Sequence, residues 1–342
     1  ADGVLTTISA AFVTVRATIR YTPTRAGSFA ATVVATSAVE ISARREFNVG
    51  SLVSTEQERH SFELRPAYTL AAFNDAGQIA FTASLDGLAN GLFLFQGGRL
   101  DLLAAAGRPG PMPGTTLSGF SLPSINGRGD VLVNAFGAGN IASGGLLLAS
   151  RTGSSWALLT NTSTGDVDNI SGILTSRYSL NDNSDILFRA SYQLTGTTTA
   201  RIGLFQLTGE RVQLMWSAER ALPSLAAATD FPEFGIDNQG VIYFVAVDAV
   251  SRNLYRTDPA TPPVKVFATD DSFDNSTINQ VGTLAVSPAG PAAFRIILRN
   301  NAQHLGRIVG GQTQTLAVAG NNTVIGVSST GAVLFVGNYR NQ

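Results

Sequence analysis

Asn74-Asp75-Ala76-Gly77-Gln78-Ile79-Ala80-Phe81 opens on turn residues and runs on as an alternating strand, and Asn126-Gly127-Arg128-Gly129-Asp130-Val131-Leu132-Val133 repeats the pattern. The chemistry of the positions explains the spacing. An Asn in first place can bond its own backbone two residues on, and a glycine three residues later tolerates positive φ, so the pair builds a tight turn. Beyond the turn, Ile79 and Phe81 fall two apart and point to one face of a strand. Degenerate copies follow at Asn181 to Phe188, with Ser184 in the glycine place, and at Asp237 to Phe244, with Gly240. Two more run from Ser287 to Phe294, with Gly290, and from Ser328 to Phe335, with Gly331.

The first residues of the copies, at 74, 126, 181, 237, 287 and 328, recur with the period of a propeller blade, not of a helical hairpin. Each unit continues into a second apolar strand, such as Gly91 to Phe95, Gly145 to Leu148 or Gly203 to Leu207. A third comes after a short polar turn, at Leu100 to Ala105, Trp156 to Leu159 and Val212 to Trp216. Three or four short strands joined by hairpins describe a blade. The best helical stretch, Ser217 to Ala228, is broken by Pro223 and reads as a loop. These observations predict an all-β chain, a β-propeller of six blades over residues 51–342, with a short N-terminal β segment over 1–50. A seventh blade is the alternative, if Thr24 to Phe29 is a decayed copy. Few residues follow Phe335, so Val39 to Pro66 is expected to supply the outer strands of the last blade and close the ring.

Composition narrows the function. Apolar residues make up 44% and charged residues 14% of the 342, which favours a packed core over disorder. The net charge is -1 with no basic stripe, so nucleic acid is excluded as a partner. The absence of cysteine removes disulfides, thiolate metal sites and thiol nucleophiles together. No apolar run reaches the roughly 18 residues of a membrane span. The opening Ala1-Asp2-Gly3, the single Lys265 and the abundance of small polar residues suggest an extracellular or cell-surface bacterial protein whose signal peptide has been removed.

The copies resemble the tandem N-x-x-G-x-[VI]-x-F repeats of bacterial secreted, propeller-like proteins, over roughly residues 54–342. The resemblance implies no shared enzymatic activity. Such proteins are often linked to a C-terminal anchor signal, which is not seen after Phe335. The stretch Ile19 to Ser37, with Tyr21-Thr22-Pro23 leading through Gly27-Ser28-Phe29 into an alternating strand, resembles the late strands of an Ig-like domain. Such a domain normally has about 100 residues. This segment is therefore expected to be completed by strand addition from another chain or by packing against the propeller's side, making the protein a subunit of an assembly.

Candidate chemistry is sparse. His60 and His304 are the available neutral-pH bases, and no G-x-S-x-G, H-E-x-x-H or P-loop is present, so no catalytic residue is assigned. Two acidic loops carry oxygen donors of the kind calcium takes: Asp166 and Asp168, and Asp270, Asp271 and Asp274. A solvated blade-connecting loop is the plainer reading of both. Arg128-Gly129-Asp130 spells an adhesion tripeptide whose glycine the turn already requires. Trp156 and Trp216 fall at matching places, as packing between blades would need. The leading expectation is a non-enzymatic binding or structural subunit that contacts a protein or glycan. The rival is a propeller hydrolase or lyase acting on a polysaccharide, with Asp86, Asp185, Asp237 or Asp248 converging on the channel beside an arginine or His304.

Overall fold

The computed structural model describes residues 16–19, 29–35, 43–49, 60–63, 71–85, 89–97, 99–138, 144–159, 169–194, 196–218, 220–258, 261–273, 275–317 and 322–337. Four strands come first: β1 (Arg16–Ile19), β2 (Phe29–Ala35), β3 (Ala43–Val49) and β4 (His60–Glu63). Blade 1 then holds β5 (Ala71–Phe73), β6 (Ile79–Leu85), β7 (Ala89–Gln96) and β8 (Arg99–Ala105). Blade 2 holds β9 (Thr116–Phe120) and β10 (Ser124–Ile125), which both pair with β11 (Val131–Ala138), followed by β12 (Gly145–Ser150) and β13 (Gly153–Leu159). Blade 3 is β14 (Asn169–Leu180), β15 (Ile186–Gln193), β16 (Arg201–Thr208) and β17 (Arg211–Ser217). Blade 4 is β18 (Asp230–Ile236), β19 (Ile242–Val247), β20 (Arg252–Thr257) and β21 (Val264–Phe267). Blade 5 is β22 (Ser272–Phe273), β23 (Ser276–Val286), β24 (Ala292–Leu298), β25 (Gln303–Val309) and β26 (Gln312–Ala317). The sixth shows β27 (Asn322–Val327) and β28 (Val333–Gly337).

Within blades 1 to 5 hydrogen-bonded strands pair antiparallel, and most buried clusters join two neighbouring blades, while Phe81, Ala83 and Phe93 cluster within blade 1. Leu132 and Leu146 of blade 2 pack with Phe188 and Phe205 of blade 3. Leu204 and Trp216 of blade 3 pack with Phe234 and Phe244 of blade 4. Val245 and Leu254 of blade 4 meet Leu284 and Phe294 of blade 5, and Ala293 and Leu305 of blade 5 meet Val324 of blade 6. Sheets stacked face to face in chain order are the signature of a propeller. The motif aromatics anchor this packing: Phe81 stacks on Phe93 at 5.4 Å, Phe188 on Phe205 at 5.5 Å and Phe244 on Tyr255 at 5.3 Å. Trp216 stacks on Phe244 at 4.8 Å, so the expected interblade role of this tryptophan holds. The side chains of Trp156 and Phe335 lie outside the described residues.

The repeated turn joins the innermost strand of each blade to the next one. Asn126 Oδ1 accepts the amides of Arg128 and Asp130 at 3.1 and 2.9 Å, and Asn74, Asn181 and Asp237 do the same in their own copies. The fourth position is left-handed, with φ +88° at Gly129 and +68° at Ser184, where a side chain takes up the strain that glycine avoids. Each turn also clasps the next. Asn74 Nδ2 donates to Asn126 O at 2.7 Å, Asn126 Nδ2 to Asn181 O at 3.2 Å, and Asn181 Nδ2 to Asp237 O at 2.8 Å. Asn238 N donates to Pro288 O at 2.7 Å, and Ser329 N to Asp75 Oδ2 at 2.8 Å, which ties the sixth copy back to the first. Among the described residues the ring closes on six blades, and most of Thr24 to Phe29, the basis of the seven-blade alternative, lies outside them.

One expectation about closure needs correction. The described strands of residues 39–66 belong to blade 1 and not to the last blade: β4 pairs antiparallel with β6, and β3 pairs parallel with β8. The first blade thus gathers β1 to β4 into its sheet, in the order β1-β4-β6-β7-β8-β3-β2. The N-terminal strands β2 and β3 form a hairpin that pairs with the outer strand β8 of blade 1. Packing against the propeller's side, the second of the two expected completions, is what is observed. Nearness in sequence explains the outcome, since blade 1 is reached by a short connection whereas blade 6 lies at the other end of the chain.

The fourth copy departs from the clasp. Asp237 replaces Asn and has no amide hydrogens to give Ser287 O, although its Oδ2 faces the next turn, 3.6 Å from a Cβ built on Gly290. Asp237 is 4% exposed, and burial raises its pKa above the ordinary 3.8 against the opposing pull of its bonds to the Val241 and Gln239 amides. A raised native pKa means that stability is fully present below 3.8 and is lost as pH rises through the native value. Asp237→Asn is therefore expected to stabilise the protein near pH 7 by about 1 kcal/mol. Urea unfolding should show the gain shrink in acid, and a variant less stable than the parent at pH 7 would contradict the assignment.

Candidate functional site

The innermost strands of all six blades enclose a central cavity of about 230 Å³. Phe73, Ile125, Ser179, Gly235, Val286 and Gly326 line it, one from each blade. The motif turns form its rim, where Asp75 and Asp182 stand. Both carboxylates are engaged by neighbouring blades: Asp75 by Ser329 N, and Asp182 by Gly127 N at 2.5 Å and Asn238 Nδ2 at 2.7 Å. At Gly235 two blades approach closely, since a Cβ there would lie 2.5 Å from Val286 Cβ.

Away from the rim, the inner strands of blades 3, 4 and 5 bulge. Register slips between Ile173 and Tyr178, between Asp230 and Glu233, and between Val281 and Leu284. A bulge re-aims side chains that strict alternation would bury or expose. Here it delivers Arg177, which also lines the cavity, to Glu233 at 2.9 Å. Glu233 Oε2 accepts Leu284 N at 3.3 Å, and Arg177 donates to Leu284 O, so one ion pair stitches three blades. Arg189 Nη1 reaches both oxygens of Asp230, at 2.8 and 2.7 Å. Arg252 Nε donates to Val281 O at 3.1 Å. Next to the first bulge, the Tyr178 hydroxyl lies 2.7 Å from Ser121 Oγ, and burial pushes its pKa up to about 12.

Among the described residues the carboxylates proposed for catalysis do not converge. Asp185 Oδ2 accepts Asn181 Nδ2 at 2.9 Å within its turn, Asp237 is committed as above, and Asp248 caps the amides of Val250 and Ser251 at 2.8 and 2.7 Å. His304 lies on β25, edge-on to Phe273 at 5.5 Å, on an outer strand of its blade and not among the residues that line the cavity. Of the calcium candidates, Asp270 pairs with Arg299, and Asp271 pairs with Lys265 at 2.8 Å and accepts Ala268 N at 2.7 Å. Asp166, Asp168, Asp274 and Asp86, and the side chain of His60, lie outside the described residues. Among the described residues no three His, Cys, Asp or Glu side chains come together as a metal group. No helix among them is long and apolar enough to cross a membrane. Arg128 and Asp130 of the adhesion tripeptide bond to each other at 2.8 Å.

The arginine cluster escaped sequence reasoning. Its one local signal is that arginine follows the motif Phe in two copies, Phe188-Arg189 and Phe294-Arg295.

A family of unknown function, DUF7453, matches residues 25–253. The chain belongs to this family. The match runs from the N-terminal strands into β20, so it takes in the docked hairpin together with the first four copies of the turn. No curated protein matches the sequence. Among solved structures, the chain is similar to regucalcin, a calcium-binding protein from Agrobacterium tumefaciens, with a TM-score of 0.38 and 11% identity over 75% of this chain and 76% of that one. It is similar to the BP39L lectin of Burkholderia pseudomallei, with a TM-score of 0.36 and 12% identity over 85% and 80%. It is also similar to a prolyl endopeptidase, with a TM-score of 0.41 and 11% identity over 94% of this chain and 52% of the other.

Proposed function

We propose that this DUF7453 propeller is a non-enzymatic binding or structural module that works outside the cell, holding a glycan or a protein partner against the rimmed mouth of its central cavity. The observation that carries the reading is the use of the polar groups there. The rim carboxylates Asp75 and Asp182 and the turn residues Asn126, Asn181 and Asp237 all serve blade-to-blade or turn hydrogen bonds. A general acid and base would instead face a common reacting atom. A cavity of about 230 Å³ is smaller than the roughly 300–1,000 Å³ of small-molecule pockets. It suits one sugar ring or one partner side chain. Docking of β1 to β4 on blade 1 adds a second surface through which the module can join an assembly.

The experiment pairs retention with turnover. The purified chain is run through gels containing neutral and acidic polysaccharides, and the same polymers are assayed for new reducing ends or unsaturated products. Retardation with intact polymer is the expected result. Chain cleavage that a double Asp75→Asn, Asp182→Asn variant abolishes would overturn the reading in favour of a hydrolase or lyase.

A further inference from the structure

The second place of the motif turn is held, in chain order, by Asp75, Gly127, Asp182, Asn238, Pro288 and Ser329. In four copies the backbone amide of that place bonds an oxygen of the next turn. Gly127 N donates to Asp182 Oδ1 at 2.5 Å, Asp182 N to Asn238 Oδ1 at 2.7 Å, Asn238 N to Pro288 O at 2.7 Å and Ser329 N to Asp75 Oδ2 at 2.8 Å. Pro288 has no amide hydrogen to give. Asp75 has one, but the residue in the acceptor's place is Gly127, which brings no side chain. Among the described residues Asp75 N has no acceptor.

The first two turns are otherwise related as the later ones are. Asn74 Nδ2 donates to Asn126 O at 2.7 Å, just as Asn181 Nδ2 donates to Asp237 O at 2.8 Å. The Asp75 amide therefore aims where a side chain of residue 127 would stand, and that place opens on the cavity, because Asp75 and Gly127 both line it. Phe73, two residues earlier, lines the wall about 7 Å back along the chain. Gly326 of blade 6 makes room for its ring, since a Cβ there would run into it. A polar donor beside an apolar wall is the make-up of a small-ligand subsite.

The kind of acceptor follows from its counterparts, which are all sp2 oxygens of a carboxylate, a carboxamide or a peptide group. A carboxylate guest is disfavoured by charge, because Asp75 is exposed and Asp182 stands beside Gly127, 2.8 Å from a Cβ built there. A neutral amide carbonyl fits. We propose that the Asp75 amide, left open by Gly127 at the seam between blades 1 and 2, donates to the acetamido carbonyl of an N-acetylated sugar whose ring lies against Phe73. Ser329 holds Asp75 Oδ2, which leaves Oδ1 to accept a hydroxyl of the sugar. The proposal rests on the cavity mouth as the binding face and names the ligand class it takes.

Titration of the isotope-labelled whole chain with N-acetyl-D-glucosamine, followed by amide NMR and calorimetry, tests this. A saturable response at one equivalent per chain, with the Asp75 amide proton moving downfield, is the expected result. Glucose, which lacks the amide, and D-glucuronate, which carries a carboxylate, should give none. Gly127→Asn supplies the carboxamide that Asn238 gives to Asp182, and it should weaken binding by at least about tenfold. Gln239→Ala, at an exposed place on the rim of blade 4, should leave it unchanged. The proposal is wrong if N-acetyl-D-glucosamine gives no saturable response, if glucose binds equally well, or if N-acetylglycinamide, a peptide amide without a sugar, binds as tightly. Retention of the chain by dextran or pectin without a response to N-acetyl-D-glucosamine would also overturn it, while the cavity mouth stands as a polysaccharide-binding face. The parent titration decides alone should Gly127→Asn fail to fold.

Discussion

Asn181→Ala is expected to lower the unfolding free energy by about 3–5 kcal/mol, a large share of the stability of an ordinary domain. Asn181 is fully buried. Its Oδ1 accepts the amides of Asn183 and Asp185 at 3.0 and 2.8 Å, and its Nδ2 donates to Asp237 O at 2.8 Å and Asp185 Oδ2 at 2.9 Å. Alanine removes all four and leaves backbone donors in a place water does not reach, each at a cost of about 1–3 kcal/mol. Ser287→Ala supplies the comparison. Ser287 Oγ accepts Ala289 N at the longer distance of 3.2 Å, so its loss should be nearer 1 kcal/mol. Urea denaturation of the two variants decides the matter, and equal losses would show that the clasp between turns is not what distinguishes Asn181.

Gly306→Ala should destabilise by about 2 kcal/mol, although the change adds only one methyl group. Gly306 lies opposite Phe294 in the β24–β25 ladder, and a Cβ on it would stand 2.5 Å from Phe294 Cε2. Phe294 is fully buried in the core between blades 4 and 5 and has no room to retreat. Replacing a glycine in an unstrained strand would ordinarily stabilise, by restricting the unfolded chain. The sign of the effect is therefore informative. Phe294→Leu should recover part of the loss when combined with Gly306→Ala, giving a coupling of at least about 1 kcal/mol in a double-mutant cycle. Additive behaviour would mean that the ring does not hold the glycine in place.

The contrast between these two sites shows what could be read from the sequence. The turn was legible because its chemistry is local: an Asn, Asp or Ser bonding amides two and four residues ahead needs nothing from the rest of the chain. Even the eroded copy kept its geometry, with Ser184 at φ +68° where glycine was expected. Alternation placed Phe81, Phe188, Phe244 and Phe294 on buried faces. What escaped was non-local. Pairing of β3 with β8 and of β4 with β6 depends on which edge is nearer in space, and strands of similar composition do not encode that choice. The arginine cluster escaped because register slips at Arg177, Glu233 and Gly282 cancel the period of two on which strand reading rests. Carboxylates such as Asp185 and Asp248 looked available for chemistry because sequence shows a charge but not the amide or side chain it already serves.

The bulges of blades 3, 4 and 5 give the ring a front sector. Six similar blades would otherwise present six similar grooves, and a ligand could settle in any of them. The ion pair between Arg177 and Glu233, stitched to Leu284, occurs in one sector alone among the described residues. A pseudo-symmetric wheel thereby acquires a direction, set by three slipped strands.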